Sequence, residues 1–335
     1  MNLKPEQLPA ALQRSVASLF VLTGDEWLLL DEARSAIGAA AQRAGATERA
    51  RYDVEGRFDW RQLQLAQSNL SLFAERRLID LRLPGGKPGK EGGEFLRALA
   101  ETVQAQSTED IWLISLPKLD HATQKSAWFT ALSEAGVQIT FWPVARTALP
   151  GWISDRAAAL GLRLHPEAAA LLADRVEGNL LAARQELDKL ALLAPQGEIS
   201  GETLLAQLTD QSRFNPFDLG AAIVEGDRRR ALHLLRRLRQ EGVEPILLLW
   251  VLSREFRLLS RWSAGSAGSS GVPKSRAPHY DRAARRSPAG FWQQLLGRTA
   301  DIDRAVKGVL AADPWQLLDR ITLAACVGRL PQAIE

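Results

Sequence analysis

The sequence predicts a parallel α/β domain followed by an all-helical region. Between residues 19 and 142, short apolar runs that indicate strands alternate with amphipathic helical patterns. After residue 150 the strand patterns disappear almost entirely. Two late helices also have clear starts, because Ser287-Pro288 and Asp313-Pro314 each place an N-cap residue before a proline at the first helical position.

The α/β part contains five predicted strands, each a short run rich in apolar residues. The strands lie at 19–22, 51–54, 78–83, 111–116 and 137–142. Helical periodicity predicts helices at 27–43, 59–67, 94–106 and 123–135. The Gly-, Pro- and Lys-rich stretch 84–93 is expected to be a solvated connection. This alternation implies a mostly parallel sheet with helices on both faces.

The chain is expected to form three domains, since 335 residues with 46% apolar content can support several cores. The predicted boundaries give an α/β domain at 1–143, a small helical domain at 144–210 and a larger helical domain at 211–335. Within the last, helices are predicted at 217–225, 228–241 and 245–263. A Gly/Ser-rich stretch at 264–271 is expected to continue as a loop through Pro278.

Composition narrows the class of protein. The chain has one cysteine, Cys326, so it has no internal disulfide framework, and a reducing, cytoplasmic location is expected. Its longest apolar runs are too short to span a bilayer, so no membrane partner is expected. Residues 211–335 carry 20 Lys and Arg against 12 Asp and Glu, whereas residues 1–210 carry 22 against 27. The basic C-terminal part is compatible with an acidic partner or nucleic acid.

The turn after the first strand has the strand–glycine–helix order of a nucleotide-binding site, but its side chains do not suit a phosphate group. A phosphate-binding loop needs a second glycine followed by Lys and Ser or Thr. The turn here is Thr23-Gly24-Asp25-Glu26, and its carboxylates would repel phosphate. The third strand lacks the paired acidic end that positions magnesium, because Asp80 lies mid-strand before Leu81 and Arg82. We therefore expect neither ATP hydrolysis nor a metal at Asp80.

An apolar cluster, Leu70, Leu72 and Phe73, follows the helix whose predicted N-cap is Asp59. It lies within Asn69-Leu70-Ser71-Leu72-Phe73, which is similar to the sliding-clamp-binding motif Gln-Leu-Ser-Leu-Phe of replication proteins. Two interpretations fit these five residues: the cluster inserts into a pocket on a partner, or it packs into the domain's own core. The context of the whole chain favours the partner.

The chain as a whole resembles the delta-subunit family of bacterial DNA polymerase III, the clamp-loader component that opens the sliding clamp. The resemblance rests on several stretches in order and at full length. They are Pro5-Glu6-Gln7-Leu8, residues 70–74, residues 127–132, residues 177–182, Pro216-Phe217, Arg230-Ala231-Leu232 with Leu235, and residues 241–248. The resemblance implies a degenerate AAA+ parallel-sheet domain, a helical lid domain and a C-terminal helical collar that mediates oligomerisation.

The resemblance also implies partners and the absence of catalysis. The expected partners are the beta sliding clamp, the gamma/tau and delta prime subunits through the collar, and primed DNA within the complex. Active relatives often carry an arginine in the lid where Leu181 stands, and the Ser-Arg-Cys arginine-finger sequence is absent. The four histidines show no metal-ligand spacing. No cofactor, metal or catalytic residue is therefore expected.

The leading hypothesis is a binding module that opens the clamp, with Gln67, Arg76 and Arg77 as further clamp contacts beside Leu70, Leu72 and Phe73. One alternative is an AAA+ ATPase with an atypical nucleotide site. A second is a DNA-binding protein that uses its basic C-terminal part, where basic and aromatic residues interleave in the predicted loop. The candidate DNA contacts are Arg276, Tyr280, Arg282, Arg285 and Arg286.

Overall fold

The structure is a computed structural model of the chain, and it describes residues 1–68, 76–106, 108–193, 198–208, 215–265, 272 and 275–330. The chain divides into two compact units, 1–145 and 146–335. The apolar cluster of Leu70, Leu72 and Phe73 lies outside the described residues, and so does the side chain of Gln67.

The first unit contains a six-stranded sheet in which every neighbouring pair is parallel. The strand order is β1-β6-β2-β5-β4-β3. The strands are β1 Asn2–Leu3, β2 Leu19–Gly24, β3 Glu48–Asp53, β4 Arg77–Arg82, β5 Ile111–Leu116 and β6 Val137–Phe141. The helices are α1 Leu8–Arg14, α2 Trp27–Arg43, α3 Arg61–Ser68, α4 Gly89–Gln104, α5 His121–Gln124 and α6 Ala127–Ala135, and a 3-10 turn spans Pro5–Gln7.

Both faces of this sheet are covered, as the sequence predicts. In β2, Leu19 and Val21 belong to one apolar core, whereas Phe20 and Leu22 belong to the other. Successive side chains of a strand point to opposite faces, so an uninterrupted apolar strand requires two covered faces. Helices α4 and α6 contribute to the first core, and α1 and α2 contribute to the second.

The structure differs from the sequence-based prediction at several places in this unit: α1 was not predicted, β3 begins at Glu48 rather than at residue 51, and the helix predicted at 123–135 is divided into α5 and α6. Two further differences have a physical reason. The two-residue strand β1 was not predicted, because a strand so short has no periodicity of its own and is defined only by pairing with β6. Helix α4 starts at Gly89, within the stretch predicted to be a solvated loop. Gly92 lies in the first turn of this helix, and a Cβ there would lie 2.3 Å from the Trp60 ring. The glycine permits close packing of helix on tryptophan rather than solvation.

The second unit is predominantly helical. Its first part also contains a two-stranded parallel sheet of β7 Arg163–Leu164 and β8 Glu198–Ile199. The helices of that part are α7 Leu149–Ala159, α8 Pro166–Val176, α9 Leu180–Leu193 and α10 Gly201–Leu208. The remaining helices are α11 Pro216–Glu225, α12 Arg228–Gln240, α13 Pro245–Ser263, α14 Ala277–Arg285, α15 Phe291–Val306 and α16 Pro314–Val327. No helix in the described part of the chain has the length and apolar character needed to cross a membrane.

The segments predicted to form separate helical domains, 144–210 and 211–335, contact each other within this unit. Arg175 of α8 donates to Glu186 of α9 at 2.8 Å and to Glu244, just before α13, at 3.1 Å. The ring of Trp250 on α13 packs where a Cβ on Gly201 of α10 would lie, at 2.5 Å. The observed division has two units, and the three-domain division stays a prediction.

Cys326 on α16 is buried, and burial raises the pKa of its thiol to about 11. Thiol reagents attack the thiolate, so the folded protein should react with a disulfide reagent such as DTNB at pH 8 far more slowly than the protein unfolded in urea does. Stopped-flow absorbance checks this prediction. Equal rates in the folded and unfolded protein would contradict it and would show that α16 opens readily.

Candidate functional site

The turn after β2 is built around a glycine that no other residue can replace without strain. Gly24 has a φ of +138°, and a Cβ there would lie 2.0 Å from the Phe141 carbonyl oxygen. The backbone N–H of Asp25 donates to that same oxygen at 3.2 Å. The turn is therefore held against the end of β6, and it delivers Asp25 and Glu26 to the carboxyl edge of the sheet.

Acidic side chains occupy the position where a phosphate-binding loop would hold a nucleotide. The backbone N–H of Lys118 donates to Asp25 Oδ1 at 3.3 Å, and Lys118 Nζ lies 3.8 Å from Asp25 Oδ2. Burial raises the pKa of Glu26, although a hydrogen bond from the Leu28 backbone opposes the shift. Lys118 therefore neighbours the Asp25 carboxylate, and exclusion of a nucleotide phosphate from this turn stays a prediction.

Asp80 is completely buried in β4 and is surrounded by arginines rather than by other oxygen ligands. Arg34 of α2 donates to Asp80 Oδ2 at 2.7 Å, and Arg49 of β3 donates to the same atom at 2.8 Å. Arg82 lies 3.6 Å from it. Guanidinium groups compete directly with a metal ion for this carboxylate. The role that the structure assigns to Asp80 is to tie α2, β3 and β4 together.

Helix α3 leads to the apolar cluster, and its start is fixed firmly to the first unit. Asp59 Oδ1 accepts from the Arg61 backbone N–H at 3.0 Å, which confirms the predicted N-cap. Trp60 and Leu63 are buried in the core beneath the helix. The Trp60 ring lies 5.6 Å from the ring of Phe95 on α4. These contacts hold the start of α3 against the core of the first unit.

Arg76 and Arg77 follow the apolar cluster and are held by hydrogen bonds within the unit. Arg76 donates to the carbonyl oxygens of Glu109 at 2.9 Å and Ala44 at 3.3 Å. Arg77 donates to Asp110 through two guanidinium nitrogens, at 3.1 and 2.6 Å, and this hydrogen bonding raises its pKa. The sequence missed this anchoring role, because Asp110 is 33 residues away. A clamp contact by Arg77 would have to share or break its pair with Asp110.

The predicted basic loop in the second unit is in fact helix α14, and Tyr280 lies in the core. The Tyr280 hydroxyl donates to the Glu255 carboxylate of α13, and burial raises its pKa. Because the ring is completely buried, it cannot stack on a base, contrary to the sequence-based prediction. Arg276 also pairs with Glu255, at 3.4 Å, so these two residues fix α14 to α13. A mixture of basic and aromatic residues has the same composition in a loop and in an amphipathic helix, which explains the error.

The Arg286 side chain also forms hydrogen bonds within the fold. Its guanidinium donates to the backbone oxygens of Val224, at 3.0 Å, and Ala325, at 3.3 Å, near the ends of α11 and α16. It satisfies carbonyl groups that a helix end leaves without a partner. The structure therefore places Arg286 in packing rather than on a DNA-binding surface. Arg282 and Arg285 are exposed, and for them a DNA contact stays a prediction.

Comparison with known proteins matches both units to one family. The model of "DNA polymerase III, delta subunit" matches residues 20–141, and the model of the "DNA polymerase III delta subunit, C-terminal domain" matches residues 214–313. The DNA polymerase III subunit delta of Escherichia coli K12 is 35% identical over 268 residues, which cover 80% of this chain and 77% of that protein. The chain belongs to the DNA polymerase III delta-subunit family. The resemblance seen in the sequence is thereby confirmed.

Two further similar proteins match this chain over nearly its full length. The subunit delta of Haemophilus influenzae is 26% identical over 343 residues, which cover 96% of this chain and 98% of that protein. Among solved structures, the Bacillus subtilis DNA clamp loader delta protein is 20% identical with a TM-score of 0.49, and the match covers 96% of this chain and 99% of that one.

Proposed function

We propose that this member of the delta-subunit family is the clamp-loader subunit that binds the ring-shaped sliding clamp and opens it for loading onto primed DNA. Membership of the family, at 35% identity over 80% of the chain to the Escherichia coli protein, carries this proposal. The cluster of Leu70, Leu72 and Phe73 is the proposed contact with an apolar pocket on the clamp. Gln67, Arg76 and Arg77 are proposed to flank that contact, with Arg77 sharing its pair with Asp110.

The surroundings of the cluster support this role. On one side, α3 is held by Trp60 and Leu63; on the other, β4 is held by the Arg77–Asp110 pair. A binding element attached to rigid flanking segments loses less entropy on binding. Burial of an exposed leucine and phenylalanine in a partner provides about 3–6 kcal/mol. Micromolar affinity requires about 8 kcal/mol, so further contacts contribute.

Binding alone does not open a ring. The subunit shifts the clamp toward its open state only to the extent that it binds that state more tightly than the closed one. A second contact, available only on the open clamp, is therefore part of the proposal. The gamma/tau and delta prime subunits would associate through the predicted collar, 211–335, and ATP bound to them would control access to the clamp-binding cluster. The assembly would act in the cytoplasm, where the chromosome is replicated.

We further propose that the chain works without ATP hydrolysis of its own. The sheet edge carries the carboxyl groups of Asp25 and Glu26 in place of the lysine of a phosphate-binding loop, and arginines surround Asp80. The purified chain should therefore show no saturable ATP binding in equilibrium dialysis with magnesium. The double variant Asp25→Ala/Glu26→Ala should also bind none, because it still lacks the lysine of a phosphate-binding loop. Saturable binding by the natural chain would instead support the atypical ATPase.

The proposed function as a whole is tested by mixing the purified chain with the purified sliding clamp. Size-exclusion chromatography with light scattering should show a complex, and a cross-linked clamp that cannot open should bind more weakly. Weaker binding to the closed ring is expected because an opener must prefer the open state. Absence of a complex with either ring would overturn the proposal. Equal affinity for both rings would remove the opening step and leave a simple clamp binder.

A further inference from the structure

Helix α12 carries an arginine-rich exposed face that the clamp-binding proposal does not use. Its 13 residues include six arginines and no acidic residue. All six arginines are exposed to solvent. They are Arg228, Arg229, Arg230, Arg236, Arg237 and Arg239.

The fold keeps this face outward. Ala231, Leu234, Leu235 and Leu238 are buried and form one stripe, with the spacing expected of a helix that packs on one side. Arg229 and Arg236 lie opposite that stripe, seven residues apart, which places their Cα atoms about 10.5 Å from each other along the helix axis. The remaining arginines flank them on both sides. The six arginines therefore form three short rows of two along the exposed side of the helix.

Three of these six arginines have polar partners within the protein, since Arg237 donates to Gln240 Oε1 at 3.3 Å and two others lie beside carboxylates. Arg230 pairs with Glu225 at 3.1 Å, and Arg239 lies 3.7 Å from Asp313. Within the part of the chain that the structure describes, no carboxylate forms an ion pair with Arg228, Arg229 or Arg236. Those three guanidinium groups are available to an external anion.

Helix stability does not explain why three arginines occupy the first turn of α12. Three consecutive arginines, Arg228 to Arg230, occupy the first turn, where the helix dipole disfavours cations. Asp227 caps the helix by accepting from the Arg230 backbone N–H at 3.0 Å, but it supplies one negative charge against three positive ones. The Glu225–Arg230 pair offsets part of this cost, but Arg228 and Arg229 have no carboxylate partner among the described residues, and such a local cost is common at a binding surface.

We propose that the exposed face of α12 binds the phosphate backbone of duplex DNA. Arginine presents a planar array of donors that suits phosphate oxygens, and short rows of arginines suit a regular row of phosphates. Proteins that bind single strands usually add Phe, Tyr or Trp side chains on which bases stack, and α12 contains none of these three. A duplex is therefore the better match. This surface is distinct from Arg282 and Arg285 on α14, and the proposal does not depend on clamp binding.

The test measures binding of the full chain to a fluorescent duplex by anisotropy, in parallel with a single strand of the same length. The variant Arg228→Gln/Arg229→Gln/Arg236→Gln removes the three unpaired charges and keeps a residue of similar helix propensity. Its duplex affinity should fall at least about tenfold near 100 mM salt, and the slope of log K against log salt should become shallower by about 2–3, since each phosphate contact contributes about 0.9. Circular dichroism checks that the variant is folded.

Two control variants show whether the loss of duplex affinity is specific to the arginines of α12. Arg97→Gln/Arg163→Gln removes exposed arginines from α4 and β7 and should leave duplex binding nearly unchanged. Arg282→Gln/Arg285→Gln should have a smaller effect than the α12 variant. The proposal is overturned if the α12 variant binds the duplex as tightly as the natural chain does, if the α14 variant causes the larger loss, or if the natural chain prefers the single strand. Retained clamp binding by the α12 variant would separate this surface from the clamp contact.

Discussion

Replacing Asp80 with alanine should lower the free energy of unfolding of the first unit by about 3–5 kcal/mol, because removal of one partner leaves buried charge uncompensated. Asp80 is completely buried and accepts from both Arg34 and Arg49, at 2.7 and 2.8 Å. The Arg34 side chain is only 6% exposed, so water cannot replace the lost carboxylate there. We expect α2 and β3 to loosen from β4 in this variant.

Hydrogen exchange measured by mass spectrometry across a urea series locates this effect, since peptides from β4 and β5 report on the first unit alone. The matched control is Asp53→Ala, because Asp53 also pairs with arginines, Arg51 at 3.0 Å and Arg82 at 3.9 Å. Its side chain is 43% exposed, so the loss should stay below about 1 kcal/mol. Similar losses of unfolding free energy in the two variants would show that the buried cluster of Asp80 and its arginines stabilises the sheet no more than an exposed ion pair does.

The second large effect is expected for Leu72→Ala/Phe73→Ala, which should weaken clamp binding by about 100-fold to 10,000-fold. Full burial of each side chain provides about 1.5–3 kcal/mol, and each 1.4 kcal/mol corresponds to a factor of ten. Surface plasmon resonance with immobilised clamp measures the change. The dissociation rate should account for most of it, because mutants of one interface usually differ in dissociation more than in association.

A matched control removes two exposed leucines from the second unit. Leu192 and Leu193 on α9 are 88% and 55% exposed, so Leu192→Ala/Leu193→Ala removes two large apolar side chains from the surface of the second unit. Clamp affinity of this variant should match that of the natural chain. If Leu72→Ala/Phe73→Ala bound the clamp with unchanged affinity, the apolar cluster would have to be assigned to the core of its own domain.

Much of the first unit could be predicted from the sequence. The helix at 27–43 and the strand at 111–116 have the predicted bounds, because an amphipathic period and an uninterrupted apolar run are properties of the local chain. The acidic turn after β2 was also predictable, since a phosphate-binding loop is a short contiguous motif. The start of α4 was not, because the fit of Gly92 against Trp60 involves residues far apart in the chain.

The sequence by itself determined the parallel α/β order, the helical second part, the acidic turn at Asp25 and Glu26, and the family. Only the tertiary structure decided which charged and aromatic residues are free. Arg77 is held by Asp110, Tyr280 by Glu255, and Asp80 by Arg34. The partners in these three pairs are separated by 33, 25 and 46 residues. Local composition specifies that a side chain can carry charge or stack, but packing between distant segments determines whether water or another side chain surrounds it.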